Sequence, residues 1–203
     1  MCSTRYIGFH CSTRYNGFMP EESRRDALLA ACTDHVLAEG LIGLSLRPLA
    51  KAVGTSDRML IYHFGSRDGL VAAIIDEATA RSVDHLDGLA APRTVRAGVL
   101  RLWQAYLEPP LHACNLIYVQ AAASGYLGQE PYRSSVRDSN ARWAAAMRGW
   151  FERCGAPRQR VDRITQLVES ALLGFHVDLT TDTPAELTRG VRDLADAAQT
   201  LAG

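Results

Sequence analysis

From Glu21 onward the apolar residues of this chain recur every three or four positions, and no stretch alternates Val, Ile and Thr with polar residues as a half-buried strand does. That spacing predicts an all-α fold. Leu28, Cys32 and Val36 fall at i, i+4 and i+8 on one helical face, with Gly40 placed to end that first helix. Further helices are expected at about 67–85, 94–107, 111–126, 132–153, 158–180 and 184–202. Between them stand Ala91-Pro92-Arg93, Pro109-Pro110, Glu130-Pro131, Gly155-Ala156-Pro157 and Asp182-Thr183-Pro184, where proline and glycine interrupt the helical pattern.

A chain of 203 residues with 47% hydrophobic and 22% charged residues has enough apolar matter for a sizeable core, which excludes general disorder. The longest apolar runs, such as Leu70 to Ile75, fall far short of the ~20 residues that span a bilayer, so no membrane protein is expected. Five cysteines, Cys2, Cys11, Cys32, Cys114 and Cys154, are scattered without a CxxC pair. An odd, dispersed set points away from a disulfide framework or structural zinc and towards a cytoplasmic location. Lys51 is the only lysine, and the bias to Arg and Ala points to a GC-rich bacterial source.

Cys2–His10 and Cys11–Met19 repeat one another at seven of nine positions. Two copies make no solenoid, and no apolar h-region follows Arg5, so residues 1–18 read as a flexible leader with Met19 as an alternative translation start. The competing reading makes Arg5 and Arg14 a basic arm for a DNA minor groove.

The stretch from Ser45 to Arg67, SLRPLAKAVGTSDRMLIYHFGSR, carries the most chemistry. Leu46, Leu49, Ala50 and Val53 form one apolar face of a short helix with Ser45 as N-cap and Pro48 at N3, where a missing N–H costs nothing. Gly54 ends that helix, and Ser56 caps the next with Asp57 in its first turn. Two short helices joined by a glycine turn are a helix-turn-helix, with small Ala50 allowing close approach and Leu60 plugging the gap. At 100° per residue Arg58 and Tyr62 lie about 160° from Leu60, on the outward face. An outward Arg can bond a guanine bidentately, for roughly 1–3 kcal/mol of base discrimination. Arg47, Lys51, Arg58 and Arg67 outnumber Asp57 here by three charges, although the whole chain balances 22 basic against 22 acidic residues.

Gly40–Val71, GLIGLSLRPLAKAVGTSDRMLIYHFGSRDGLV, resembles the N-terminal DNA-binding domain of the tetracycline-repressor (TetR) family of bacterial regulators. The shared features are Ser-Leu-Arg-x-Leu-Ala, the Gly-x-Ser turn, and Tyr-His-Phe before a helix-opening basic residue. Beyond this stretch the likeness is one of helical layout. The resemblance implies that Ser45 and Arg47 approach the backbone or groove edge of a double-stranded DNA operator. It implies that Thr55, Ser56, Asp57, Arg58 and Met59 face the major groove and that Tyr62, His63 and Arg67 meet phosphates. Ile61 replaces an aromatic residue that often binds phosphate in the family, Arg67 replaces the commoner Lys, and Asp57 puts an acid on the reading surface. The plainer readings are a partly buried imidazole for His63 and a solvated face for Arg47 and Lys51.

Near the C-terminus Val161, Ile164, Val168, Ala171 and Phe175 step by 3, 4, 3, 4, and Leu187, Val191, Leu194, Ala198 and Leu201 by 4, 3, 4, 3. Val168, Ala171, Phe175, Leu187, Val191, Leu194, Ala198 and Leu201 are therefore expected to form a four-helix homodimer interface about a two-fold axis, where the resemblance also puts one. The plainer reading gives both seams to the subunit's own core. Such a dimer would set two recognition helices ~34–36 Å apart on a pseudo-palindrome. Between reader and seams lies an aromatic-rich region that also holds Trp150 and Phe151, and the resemblance implies a small-molecule pocket there. Its candidate lining is Trp103, Tyr106, Tyr118, Tyr126, Trp143, Met147, Phe175 and His176, with core packing as the plainer role for any one of them.

The expected organisation is a leader at 1–18, a three-helix DNA-binding domain at 19–66 and a helical ligand-binding and dimerisation domain at 67–203. The expected function is a homodimeric, sequence-specific transcriptional regulator, most simply a repressor released from a palindromic operator by a small-molecule effector. Its rivals are a thiol or metal sensor using Cys32, Cys114 or Cys154, a regulator without a ligand, and a helical interaction module. No cofactor is expected, nor an enzyme, since GxSxG, P-loop, GxGxxG and HExxH patterns are absent from the sequence. His112 and Cys114, two residues apart, point to different helix faces and make no metal site. Split after Arg67, the balanced charge resolves into +2 followed by −2, a basic reader before a slightly acidic body.

Overall fold

The computed structural model describes Glu21–Gly203; the repeated leader, with Arg5, Arg14 and Met19, lies outside the described residues. Those residues form nine helices and no strand: α1 (Glu21–Glu39), α2 (Leu46–Ala52), α3 (Asp57–Phe64), α4 (Arg67–Gly88), α5 (Val95–Tyr106), α6 (Leu111–Tyr126), α7 (Tyr132–Arg153), α8 (Val161–Asp178) and α9 (Pro184–Ala202). The all-α expectation holds. None of these helices is long and apolar enough to cross a membrane.

Side-chain caps start several helices. Ser56 Oγ accepts the Met59 N–H at 3.2 Å, Ser66 Oγ that of Gly69 at 2.9 Å, and Thr183 with Glu186 closes a capping box at α9. Ser45 differs from its expectation: it occupies the N-cap position of α2 in an extended conformation, but its hydroxyl makes no capping bond. Gly40 and Gly54 end α1 and α2 with φ of 98° and 72°, a region that an L side chain seldom enters.

Packing forms two apolar clusters. One is built from α5, α7, α8 and α9 around Trp150, Phe151, Tyr106 and Leu102. The other gathers Cys32, Val36, Leu49, Leu60 and Phe64 with Leu70, Val71, Ile74 and Ile75 of α4 and with Ile117 and Ala121 of α6. This second cluster runs through residues on both sides of position 66, so α2 and α3 share one core with α4 and α6.

Half of the residues expected at the dimer interface face inward instead. Val168, Val191, Leu194 and Ala198 are buried in the subunit's own core, where α9 packs along α5 and α8. Ala171, Phe175, Leu187 and Leu201 pack, partly buried, against the same core. A step of three and four marks a face that needs a helix against it; it does not say which chain supplies that helix.

Candidate DNA interface and ligand cavity

Leu49, Ala50 and Leu60 are buried where α2 meets α3, and the Thr55 N–H donates to the Ala50 carbonyl at 2.8 Å across the turn. With Leu60 turned inward, Arg58 and Tyr62 face solvent, Tyr62 at 64% exposure. Ser45, Arg47 and Ser56 are exposed beside them, and Thr55, Asp57, Met59 and His63 partly so. Arg47 Nε lies 3.6 Å from Asp57 Oδ2. The acid on the reading surface thus pairs with Arg47 across the two helix starts. An exposed pair of this kind is worth about 0–1 kcal/mol, so its effect is one of placement.

Three residues assigned to phosphate are engaged within the chain. Tyr62 donates its hydroxyl to Glu21 Oε1 at 2.6 Å, and that bond raises the phenol pKa. His63 has a buried Nε2 with no partner among the described residues and packs edge-on to Tyr62 and Phe64. Arg67 Nε and Nη2 donate to the Leu44 carbonyl at 3.2 and 3.1 Å, which ties the start of α4 to the turn before α2. Gln120 of α6 holds the same turn from the other side.

A cavity lies among α4, α6, α7 and α8, with Tyr106 of α5 at one wall. Ile75, Ala78, Ile117 and Leu173 supply apolar lining, and Tyr118 and Trp143 join Tyr106 as aromatic walls. Some of its polar groups already have partners: Thr79 Oγ1 and Ser139 Oγ lie 2.6 Å apart, and Ser82 donates to the Ala78 carbonyl at 2.9 Å. The Asn115 side-chain nitrogen is buried without a partner. Glu169 is the one carboxylate of the lining, which contains no Lys, Arg or His. Burial raises the Glu169 pKa above the ordinary carboxylate value, opposed by the charge of Arg148. Burial likewise raises the phenols of Tyr106 and Tyr118. The space open to the centres of water-sized spheres is about 40 Å³, room for roughly three waters.

Of the expected lining residues, Tyr106, Tyr118 and Trp143 reach this cavity. The other five do not. Trp103 packs edge-on to Phe175 with ring centroids 6.2 Å apart, and Met147 is fully buried in the core. His176 stands edge-on to Tyr106 at 6.1 Å, outside the lining, and Tyr126 is 92% exposed at the end of α6. Aromatic residues at helical spacing serve core and cavity alike, so that spacing does not separate the two. Asn115, Asn140 and Glu169 line the cavity and were missed. Glu169 directly follows core Val168 and Asn115 directly follows core Cys114, but a polar residue beside a core one is common to helix edges and singles out neither.

His176 Nε2 lies 3.2 Å from His112 Nδ1, and the other His176 nitrogen, Nδ1, is buried without a partner. An orphaned N–H costs more than a bare lone pair, so His176 carries its proton on Nε2 and donates to His112. Burial, and secondarily His112, hold the His176 pKa down to about 4. Cys32, Cys114 and Cys154 are buried free thiols, each raised by burial, Cys32 and Cys154 to about 11. None of the three is a thiolate near neutral pH, a poor basis for thiol sensing. Cys2 and Cys11 lie outside the described residues. Among the described residues no group of three or more His, Cys, Asp or Glu is placed to hold a metal ion.

Residues 28–74 match the family model for bacterial regulatory proteins of the tetR family. No curated protein matches the sequence. Salmonella enterica GusR shares the fold at 19% identity and a TM-score of 0.68, over 91% of this chain and 98% of that one. A Rhodococcus sp. protein assigned to the TetR family of transcriptional regulators does so at 20% identity and 0.62, over 88% and 98%. The multidrug binding protein EbrR, solved in complex with imidazole, matches at 23% identity and 0.61, over 89% and 91%. At these identities the likeness is one of fold.

Proposed function

We propose that this chain, which matches the tetR-family model over residues 28–74 and shares the fold of regulators of that family, is a homodimeric repressor that leaves a palindromic operator when a small molecule enters the cavity. One observation carries the reading: α4 and α6 both line the cavity and both hold the reading helices. Ile75 and Thr79 of α4, and Asn115 and Tyr118 of α6, face the cavity. Arg67 at the start of α4 and Gln120 further along α6 grip the turn between α1 and α2.

With room for only a few waters, the cavity takes a larger ligand by parting α4 from α6, which shifts the supports of α2 and α3. The effector then releases DNA to the extent that it binds the parted arrangement better, a coupling of typically ~1–3 kcal/mol. On the DNA side Arg58 reads base edges, and Ser45, Arg47 and Tyr62 meet the backbone, with a phosphate displacing Glu21 from Tyr62.

The dimer needs a surface other than the inward seams. Arg163, Leu167, Ser170, Gly174 and Val177 step by 4, 3, 4, 3 along the open side of α8, and Leu167 and Val177 remain 38% and 42% exposed. Ser170 and Gly174 are small enough for a second α8 to approach closely, and Leu201 of α9 borders the same groove.

Selection of bound DNA from a random pool, at stated salt, tests the whole reading. Enrichment of a two-fold symmetric site with half-sites ~34–36 Å apart is expected. Enrichment of an asymmetric site, or none, refutes it.

A further inference from the structure

We propose that the cavity takes an organic cation with a flat apolar body, its charge against Glu169 and its body between the rings of Tyr106, Tyr118 and Trp143. This rests on the reading of the cavity as the effector site. Glu169 makes no ion pair within the described residues; the nearest base by its influence, Arg148, pairs with Asp162 at 3.8 Å. Glu169 lines the same cavity as the rings of Tyr106, Tyr118 and Trp143. The rings of Tyr106 and Trp143 are 6.3 Å apart and tilted by 38° to one another.

A half-buried carboxylate without a counter-charge is costly, and it is relieved either by a proton or by a cation. The ring faces around it carry negative potential of the same sense, and a cation over such a face is attracted further. An anionic ligand meets Glu169 with no base in the lining to offset it. A purely apolar ligand leaves Glu169 and the Asn115 amide unpaired. An acceptor oxygen on the cation's body would complete the fit by taking the unpartnered Asn115 N–H.

The test uses two probes of one shape, benzyltrimethylammonium and its uncharged carbon isostere neopentylbenzene, on the full chain. Binding is followed by tryptophan fluorescence and by loss of operator affinity. The ammonium is expected to bind roughly tenfold or more tightly than the hydrocarbon. Glu169→Gln, isosteric and uncharged, is expected to abolish that preference, chiefly by weakening the ammonium. Equal affinity for the two probes in the unaltered chain, a comparison that needs no variant to fold, overturns the cation assignment. So does a preference that survives in Glu169→Gln. If the hydrocarbon then releases DNA, the effector reading stands without the charge. If neither probe binds, both fall.

Discussion

The Gln120 side chain reaches across from α6 to the backbone of Leu41: its Oε1 accepts the Leu41 N–H at 2.7 Å and the neighbouring Ile42 N–H at 2.9 Å. Leu41 itself is fully buried in the cluster that unites α1 to α4 with α6. One amide oxygen therefore fixes where the chain turns from α1 towards the reading helices. Asn115 and Tyr118, at the cavity, lie less than two helical turns away on the same helix.

Gln120→Ala removes the one oxygen that accepts both bonds and leaves the part-buried Leu41 N–H unpaired. A loss of about 1–2 kcal/mol in stability is expected, together with a smaller drop in operator affinity on adding effector. Chemical denaturation and paired DNA titrations with and without effector measure the two. An unchanged effector response shows that coupling travels another way.

The proposed reading role of Arg58 and the supporting bonds of Arg67 make separable predictions. Arg58 is exposed on the outer face of α3, whereas Arg67 spends its guanidinium on the Leu44 carbonyl. Arg58→Ala is expected to cost roughly 1–3 kcal/mol on the operator and little on random DNA. Arg67→Ala is expected instead to lower the thermal midpoint and to weaken both DNAs alike. The reverse pattern would exchange their roles.

The contrast between these two arginines shows what the sequence can and cannot disclose. Local rules sufficed for α2, the turn and α3, because Ser56, Gly54 and Leu60 act within a few residues of themselves. The outward position of Arg58 follows from helix geometry alone. The resemblance sends Arg67 to a phosphate, whereas its bond to Leu44 spans 23 positions, which no local pattern contains. The cavity is a long-range object of the same kind. It needs Thr79, Asn115, Asn140 and Glu169 from four helices, and none is marked out by spacing. The seams differ for another reason: a step of three and four does not name the partner chain, and for Val168, Val191, Leu194 and Ala198 the helix packed against them belongs to the same chain.

Buried His176 makes stability depend on pH. Its folded pKa is held to about 4 against an ordinary 6.5, so below pH 6.5 the unfolded chain takes up a proton that the folded chain refuses. Stability from this group is full above that value and is lost as pH falls through the window to about 4, by up to roughly 3 kcal/mol. His176→Phe lacks the proton site, so its stability relative to the parent should improve on acidification. Denaturant titrations of both at about pH 7 and pH 5 read the difference, and a constant gap rejects the buried neutral imidazole.

Gly98 lets α5 approach α7. A Cβ at that position would lie 2.7 Å from Cys154 Sγ and 3.3 Å from Cys154 Cβ. Cys154 is fully buried beside Trp150 and Phe151 and has no room to yield. Gly98→Ala is therefore expected to destabilise by about 1–3 kcal/mol despite the better helix propensity of alanine. Adding Cys154→Ala should recover most of the loss, a coupling that a double-mutant cycle by thermal unfolding reports. Additive losses mean that the clash is relieved elsewhere.

The proposed dimer face and the inward seams make opposite predictions for leucines on neighbouring helices. Leu167 is 38% exposed at the middle of the α8 stripe, whereas Leu194 is 8% exposed and packs into the subunit core. Leu167→Glu puts two like charges together across a two-fold axis, while leaving each subunit's interior untouched. Sedimentation should find monomers with an almost unchanged unfolding midpoint per subunit, and operator affinity should collapse because one reading helix holds only a half-site. Leu194→Ala should do the converse, lowering stability by about 2–4 kcal/mol while the folded fraction stays dimeric. A Leu167→Glu chain that sediments as a dimer moves the two-fold off α8. The cavity and the reading helices would then have to be joined to their symmetry mates through another face.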